Sequence, residues 1–212
     1  EGPLDAKVLF VGEAAGEMEE AKNQPFVGPA GRCLNELLVS AGINRYECRL
    51  ENVFQFHPEN NDLKPYIKFN TKGVCTFESD IYLSHKAALK ERIEQTSANV
   101  IVPLGNIPQY ALCGANKTSP GQITRTRGSI YPSTLVEGRK CIPTIHPSAA
   151  LRFGESIKFN EFNRKKGVDP YCYKYWITLD IMRALEQSEF PEIKLLNRRL
   201  NVEPTFSDVE NF

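Results

Sequence analysis

The sequence predicts an α/β domain whose mostly parallel central sheet is covered by helices on both faces. Three observations predict it. The 212 residues are 41% hydrophobic and 25% charged, the composition of a folded domain long enough to bury a substantial core. Two short apolar and β-branched runs, KVLFVG at 7–12 and NVIVPL at 99–104, each reach a glycine, as buried parallel strands feeding loops do. Between and after them lie segments with the i, i+3, i+4, i+7 apolar spacing of amphipathic helices.

In chain order, residues 7–12 form the first strand. Residues 29–42 read as a helix: Leu34, Leu37, Leu38 and Ala41 make its apolar face, Pro29 suits the first turn, and Gly42 can close the end. Residues 49–56 are the second strand. Residues 58–77 have no clear period and hold Asn60-Asn61-Asp62, Pro65 and Gly73, which marks a long loop or insertion. A second helix covers 78–94 with Ile81, Ala88, Leu89 and Ile93 inward, and 99–104 is the third strand. Gly105 then opens a short helix that runs through Cys113, and 129–136 with 140–145 form a hairpin around Glu137-Gly138-Arg139. A late helix presents Ile177, Ile181, Ala184 and Leu185. The expected organisation is one domain over 1–190, with insertions near 60–77 and 153–174, and a tail over 191–212.

Composition also excludes classes of function. No apolar run is long enough to span a bilayer, and the first residues carry neither a basic stretch nor an apolar one, so the cytoplasm is the expected location. The six cysteines include no CxxC, which fits neither a zinc ribbon nor a small disulfide scaffold; they read as reduced thiols. With 26 basic and 26 acidic residues no global field draws the protein to a polyanion. The distribution says more: 121–175 is basic, and Phe153, Phe159, Phe162 and Tyr173 are interleaved with Arg125, Arg127, Arg152, Lys165 and Lys166. A polyanion-facing surface and ordinary solvated loops both fit that pattern.

In a parallel sheet ligands bind beyond the carboxyl ends of the strands. The unusual loops Gly12-Glu13-Ala14-Ala15-Gly16, Asn52 with its succeeding residues, Gly105, and His146-Pro147-Ser148 all fall there and are placed to converge on one crevice. Singly each is ambiguous. The glycine loop is neither GxGxxG nor a Walker loop, and its acids would repel phosphate. Asn52 is a turn residue or an amide that pairs with a base edge. His146 is structural or a proton donor. Cys33 and Cys113 read as core thiols, and His57 and His85 as structural.

Taken in order, GEAAGEMEE, QPFVGPAGRCLNELL, ENVFQFHPENN, VIVPLG, RTRG and HPSAALR, closed by Trp176 to Ile181, resemble the uracil-DNA glycosylase superfamily, most closely its family 4, over residues 7–185. The resemblance implies a three-layer α/β/α fold around a four-stranded, mostly parallel sheet. It implies a DNA-repair hydrolase that flips a pyrimidine, uracil by default, out of DNA, cuts its N-glycosidic bond and leaves an abasic site; a monomer that needs no protein partner is the expected state. Phe26 matches the stacking aromatic and Asn52 the base-reading amide. His146 matches the donor to the base carbonyl as negative charge develops, a contribution typically worth about 3 to 4 kcal/mol in the barrier. Glu13 matches the loop acid that positions base or water, and Gly12, Ala14 and Glu19 line the pocket. Ser148, Leu151 and Arg152 match the loop that wedges into the duplex, and Arg125, Arg127, Lys165 and Lys166 are expected at phosphates.

The departures are informative. Ala14 stands where family 1 has an aspartate, so no general base is named, and Ala15 replaces the family's loop proline. Family 4 enzymes carry a four-iron, four-sulfur cluster on four cysteines. Here no CxxC precedes the first strand, and Phe56 and Ser84 stand at two of the ligand positions, so the cluster is expected to be absent and its stabilising role to pass to Phe56 and the insertions. Two other functions stay open: excision of a bulky or hypermodified pyrimidine, as in defence against phage DNA, and a catalytically silent DNA-binding module. A generic nucleotide-binding protein ranks third. The joint presence of Phe26, Asn52 and His146 favours an enzyme.

Overall fold

The computed structural model describes residues 1–71, 73–114, 123–154 and 170–193. Its strands are β1 (Val8–Ala14), β2 (Arg49–Phe54), β3 (Ile67–Phe69), β4 (Cys75–Glu78), β5 (Val100–Pro103), β6 (Tyr131–Pro132) and β7 (Lys140–Cys141). The described helices are α1 (Glu17–Lys22), α2 (Pro29–Ser40), α3 (Asp80–Glu94), α4 (Asn106–Cys113), α5 (Ile123–Thr126), α6 (Pro147–Gly154) and α7 (Pro170–Ser188).

The main sheet runs β2-β1-β5-β7-β6. The first four strands are mutually parallel, as expected; β6 adds a fifth, antiparallel to β7. The anticipated 129–136 strand shrinks to two residues for a local reason. Pro132 has no N–H to extend a ladder, and the Ser133 hydroxyl turns the chain by accepting from the Leu135 and Val136 N–H groups at 3.3 and 3.1 Å.

Successive residues of β1 point to opposite faces, and both faces are buried. Val8 and Phe10 pack with Val100 and Val102 against Leu34 and Leu38 of α2 and Ile177 and Ile181 of α7. Leu9 and Val11 pack with Ile101 against Leu89 and Ile93 of α3 and Leu112 of α4. Three layers follow from that alternation. Each fully buried Leu or Ile contributes about 1.5 to 3 kcal/mol relative to exposure. In α3 the inward position is Tyr82, fully buried, rather than the expected Ile81, which is 49% exposed. Ser79 sets the helix start by accepting from the Tyr82 N–H, and the inward face then follows Tyr82, Leu89 and Ile93.

Inside the expected loop at 58–77, β3 and β4 pair as an antiparallel hairpin. Its turn is built by Asn70, whose side chain accepts from the Val74 N–H at 3.0 Å, and by Gly73 at φ +78°. On the other edge of the molecule the fully buried Lys140 reaches the end of α7. Its ammonium donates to the carbonyls of Gln187 and Glu192 at 2.5 and 3.3 Å and to that of Phe190, and lies 4.4 Å from the Phe190 ring centroid. A cation there complements the negative end of the helix dipole. No described helix is long and apolar enough to cross a membrane.

Candidate active site

The carboxyl ends of four neighbouring strands, β2, β1, β5 and β7, bring the loops together. Gly12 stands in register with Asn52, and Leu104 bridges to Thr144, so residues 12–16, 52–58, 104–106 and 144–148 open on one edge of the sheet. They enclose a crevice of about 600 Å³. Glu13, Ala14, Glu19, Phe26, Asn52, His146, Ser148 and Leu151 all line it, as do Pro58, Asn61 and Leu63, which the sequence did not single out.

Asn52 is 5% exposed. Its backbone carbonyl accepts from Gln55 Nε2 at 2.8 Å and Arg92 Nη2 at 3.1 Å, while its side-chain amide bonds to no described residue. An amide so enclosed loses hydrogen bonds with water and regains them from a ligand that offers a donor and an acceptor together. Gly12 makes that approach possible: a Cβ there would run into Asn52 Oδ1 and come within 2.6 Å of Phe26 Cζ.

Phe26 is 5% exposed and takes φ +55°, the left-handed region, which costs a non-glycine residue about 1 to 2 kcal/mol. Its backbone lies directly on α2, where a Cβ at Gly31 would overlap the Phe26 carbonyl. Both glycines of the PFVGPAG stretch thus have a geometric purpose. Gly28 caps α2, and its N–H donates to Glu19 Oε1 at 2.7 Å. Glu19 therefore serves the helix start as well as the crevice wall, and a carboxylate is favoured at that end of the dipole.

His146 precedes Pro147 at the start of α6, with its ring centroid 6.3 Å from that of Phe26. Its Nδ1 accepts from the Ser148 N–H at 3.2 Å and lies 2.8 Å from Ser148 Oγ. A ring nitrogen that accepts from a backbone N–H carries no proton, so the neutral ring holds its proton on Nε2. Ser148 thereby sets the tautomer. Glu13 occupies the space beside Gly105, at φ +100°, where a Cβ would come within 2.7 Å of Glu13 Oε1.

Beneath the His146 loop lies a buried ionic network. Asp180 accepts from Arg127 at 2.7 and 2.9 Å and from Thr144 Oγ1 at 2.6 Å. Arg127 also donates to the Trp176 carbonyl at 3.0 Å and lies 5.1 Å from the Trp176 ring centroid. Burial pushes the Asp180 carboxyl above its ordinary pKa, with Thr144 and Arg127 opposing the shift. The RTRG stretch and the Trp176–Asp180 stretch are therefore partners, and the guanidinium of Arg127, expected at phosphate, is engaged with Asp180. Arg125 is exposed on α5. The side chain of Arg152, and Lys165 and Lys166 altogether, lie outside the described residues.

The crevice's outer wall is tied on by His57, whose N–H donates to Glu20 Oε1 at 3.1 Å and whose Nδ1 meets the Ala15 carbonyl at 3.3 Å. Behind it Phe56 sits in an aromatic cluster, its centroid 5.3 Å from His85, 5.3 Å from Tyr66 and 5.6 Å from Phe54. Cys33 and Cys48 belong to one core, while Cys113 and Cys141 meet in the other, against which Cys75 also packs. Among the described residues no group of three or more His, Cys, Asp or Glu is placed to hold a metal.

Burial, with Arg92 adding to it, lowers the pKa of His85 below its ordinary 6.5. As pH falls below 6.5 the unfolded chain takes up this proton before the folded one does. Stability from the neutral ring is thus complete above 6.5 and is lost as pH falls through the lowered folded value. Denaturant titrations of His85→Phe are expected to show a flatter dependence over that window than the parent; identical profiles would place the titration elsewhere.

The family model of the uracil DNA glycosylase superfamily matches residues 1–165 of the chain. The type-4 uracil-DNA glycosylase of Thermotoga maritima is 38% identical over 152 residues, 72% of this chain and 70% of that protein. The type-4 uracil-DNA glycosylase of Archaeoglobus fulgidus is 31% identical over 151 residues, 71% of this chain and 69% of that protein.

Proposed function

Because the chain belongs to the uracil DNA glycosylase superfamily, we propose that it hydrolyses the N-glycosidic bond of a uracil flipped out of DNA, leaving an abasic site. The observation that carries this reading is the convergence of the unengaged Asn52 amide, the Phe26 ring and His146 on one crevice. The base stacks on Phe26, and Asn52 donates to and accepts from its Watson–Crick edge. As the bond between C1′ and the base nitrogen breaks, the bonding pair passes into the ring and its carbonyl oxygens. His146 Nε2–H donates to the oxygen where that charge gathers. A water oxygen then bonds to C1′, and the proton it releases balances the departing base. Glu13, which lines the crevice, positions this water.

Leu151 at the crevice rim is the wedge that replaces the flipped base, and Arg125, Arg152, Lys165 and Lys166 meet phosphates. Replacing Lys165 and Lys166 together by glutamate is expected to weaken DNA binding and to reduce the salt slope of log K by about 1 to 2. A fluorescence-anisotropy salt titration checks this; an unchanged slope removes that segment from the interface. We also propose that the protein folds without an iron-sulfur cluster, with Phe56 and Ser84 standing where cysteines would and the Phe56 ring packed on His85. Iron and sulfide analysis of purified protein tests that, and stoichiometric iron with visible absorbance would refute it.

The deciding experiment is base release from oligonucleotides that each carry one uracil or one modified pyrimidine, with alkali to cut abasic sites and Asn52→Ala as control. Release at uracil that disappears in the variant supports the proposal. A second reading, a bulky modified pyrimidine, is favoured by the crevice volume of about 600 Å³ and by the small Ala14-Ala15-Gly16 wall. Release of that base with uracil left intact would select it, and silence on every substrate would leave a DNA-binding module.

A further inference from the structure

The peptide that carries Phe26 is held from outside the crevice. Arg45 opens a 3-10 turn (Arg45–Glu47) and does not line the crevice. Its guanidinium reaches back to the loop before α2: Nη2 donates to the Pro25 carbonyl at 2.7 Å, and Nη1 donates to the Phe26 carbonyl and to Asn35 Oδ1, each at 3.0 Å. The Glu1 carboxylate takes a further bond from Nη2 at 2.9 Å. The arginine side chain is 13% exposed, so this charge is spent on the loop rather than on solvent.

Two consecutive carbonyls aimed at one cation mark a loop that the cation holds. The loop needs holding, because Phe26 occupies the left-handed region without being glycine, and Gly31 leaves its carbonyl no room to move toward α2. An arginine fork suits that role, being planar, permanently charged and able to serve several acceptors at once. Release of the fork would let Phe26 relax to a negative φ and swing its ring away from Gly12 and Asn52.

We propose that Arg45 is a positioning residue that fixes the left-handed Phe26 peptide and so holds the aromatic wall of the base-binding crevice beside Asn52. Its kinetic consequence rests on the glycosylase reading. The structural consequence stands apart from it.

The test is a double-mutant cycle on single-turnover uracil release with Phe26→Leu, Arg45→Ala and the double variant, and with Arg45→Lys as the conservative replacement. Arg45→Ala is expected to slow release about tenfold, Arg45→Lys to recover most of that, and the alanine change to cost less than about twofold once Phe26 is already leucine. Full additivity would overturn the proposal, since a residue that acts only through general stability costs the same in both backgrounds. Amide hydrogen exchange is read alongside, in Arg45→Gln as well should the alanine variant fail to fold. Exchange at Phe26 and Val27 is expected to quicken while α7 is unchanged; equal rates at Phe26 and Val27 would also overturn it. Absence of base release by the parent protein would fell the glycosylase reading, and the exchange measurement would still decide the clamp.

Discussion

Replacing His146 by alanine is expected to slow uracil release in single-turnover conditions about 100- to 1,000-fold, with the fold intact. The expected loss is large because the ring is prepared before substrate arrives. Nδ1 is already occupied as an acceptor by the Ser148 N–H, so Nε2 carries the donor proton without any rearrangement at the moment of bond cleavage. In the proposed mechanism the donor is worth most in the transition state, when charge has reached the base, and less in the ground state. The rate constant should therefore fall much more than the affinity for uracil-containing DNA. Ser148→Ala keeps the backbone donor and loses only the hydroxyl, so its loss should be several times smaller. A His146→Ala enzyme within threefold of the parent would remove the histidine from the chemistry.

Asp180→Ala is expected to destabilise the protein by about 3 to 5 kcal/mol, the range for removing one member of a buried ion pair. Arg127 would be left without its counter-charge and Thr144 without its acceptor, two residues upstream of His146. Asp180→Asn preserves an acceptor for one of the two donors and should cost roughly half as much, while Asp180→Ala with Arg127→Met should cost less than the sum of the single changes. Chemical denaturation reads all of these. A loss below about 1 kcal/mol for Asp180→Ala would mean that water replaces the carboxylate and that the network does not anchor the loop.

The parts legible in the sequence were those with a local signature. The runs at 7–12 and 99–104 became β1 and β5, and the periodic leucines of α2 and the Ile177, Ile181, Ala184 face of α7 are buried as expected. The loops at the strand ends announced the crevice, because a parallel sheet puts all its carboxyl ends on one edge. The elements that escaped had no local signature. α1 buries none of its residues, and of the β3 and β4 hairpin only Ile67 is buried, so neither shows a period. Arg127 reads in sequence like any surface base; only the fold supplies Asp180, 53 positions away. Arg45 likewise acquires its meaning from two carbonyls about 20 positions earlier.

The buried amine of Lys140 bears on where this chain can be cut. The carbonyls of Gln187, Phe190 and Glu192 that surround it belong to the final turn of α7 and the residues just after. That short stretch therefore acts as a solvation shell for a buried charge, though its own sequence looks like the beginning of a tail. A gene truncated at residue 188 would retain every helix and strand of the described fold and still remove two carbonyl acceptors, those of Phe190 and Glu192, from a buried ammonium ion. A shortened protein should therefore keep residues through Glu192.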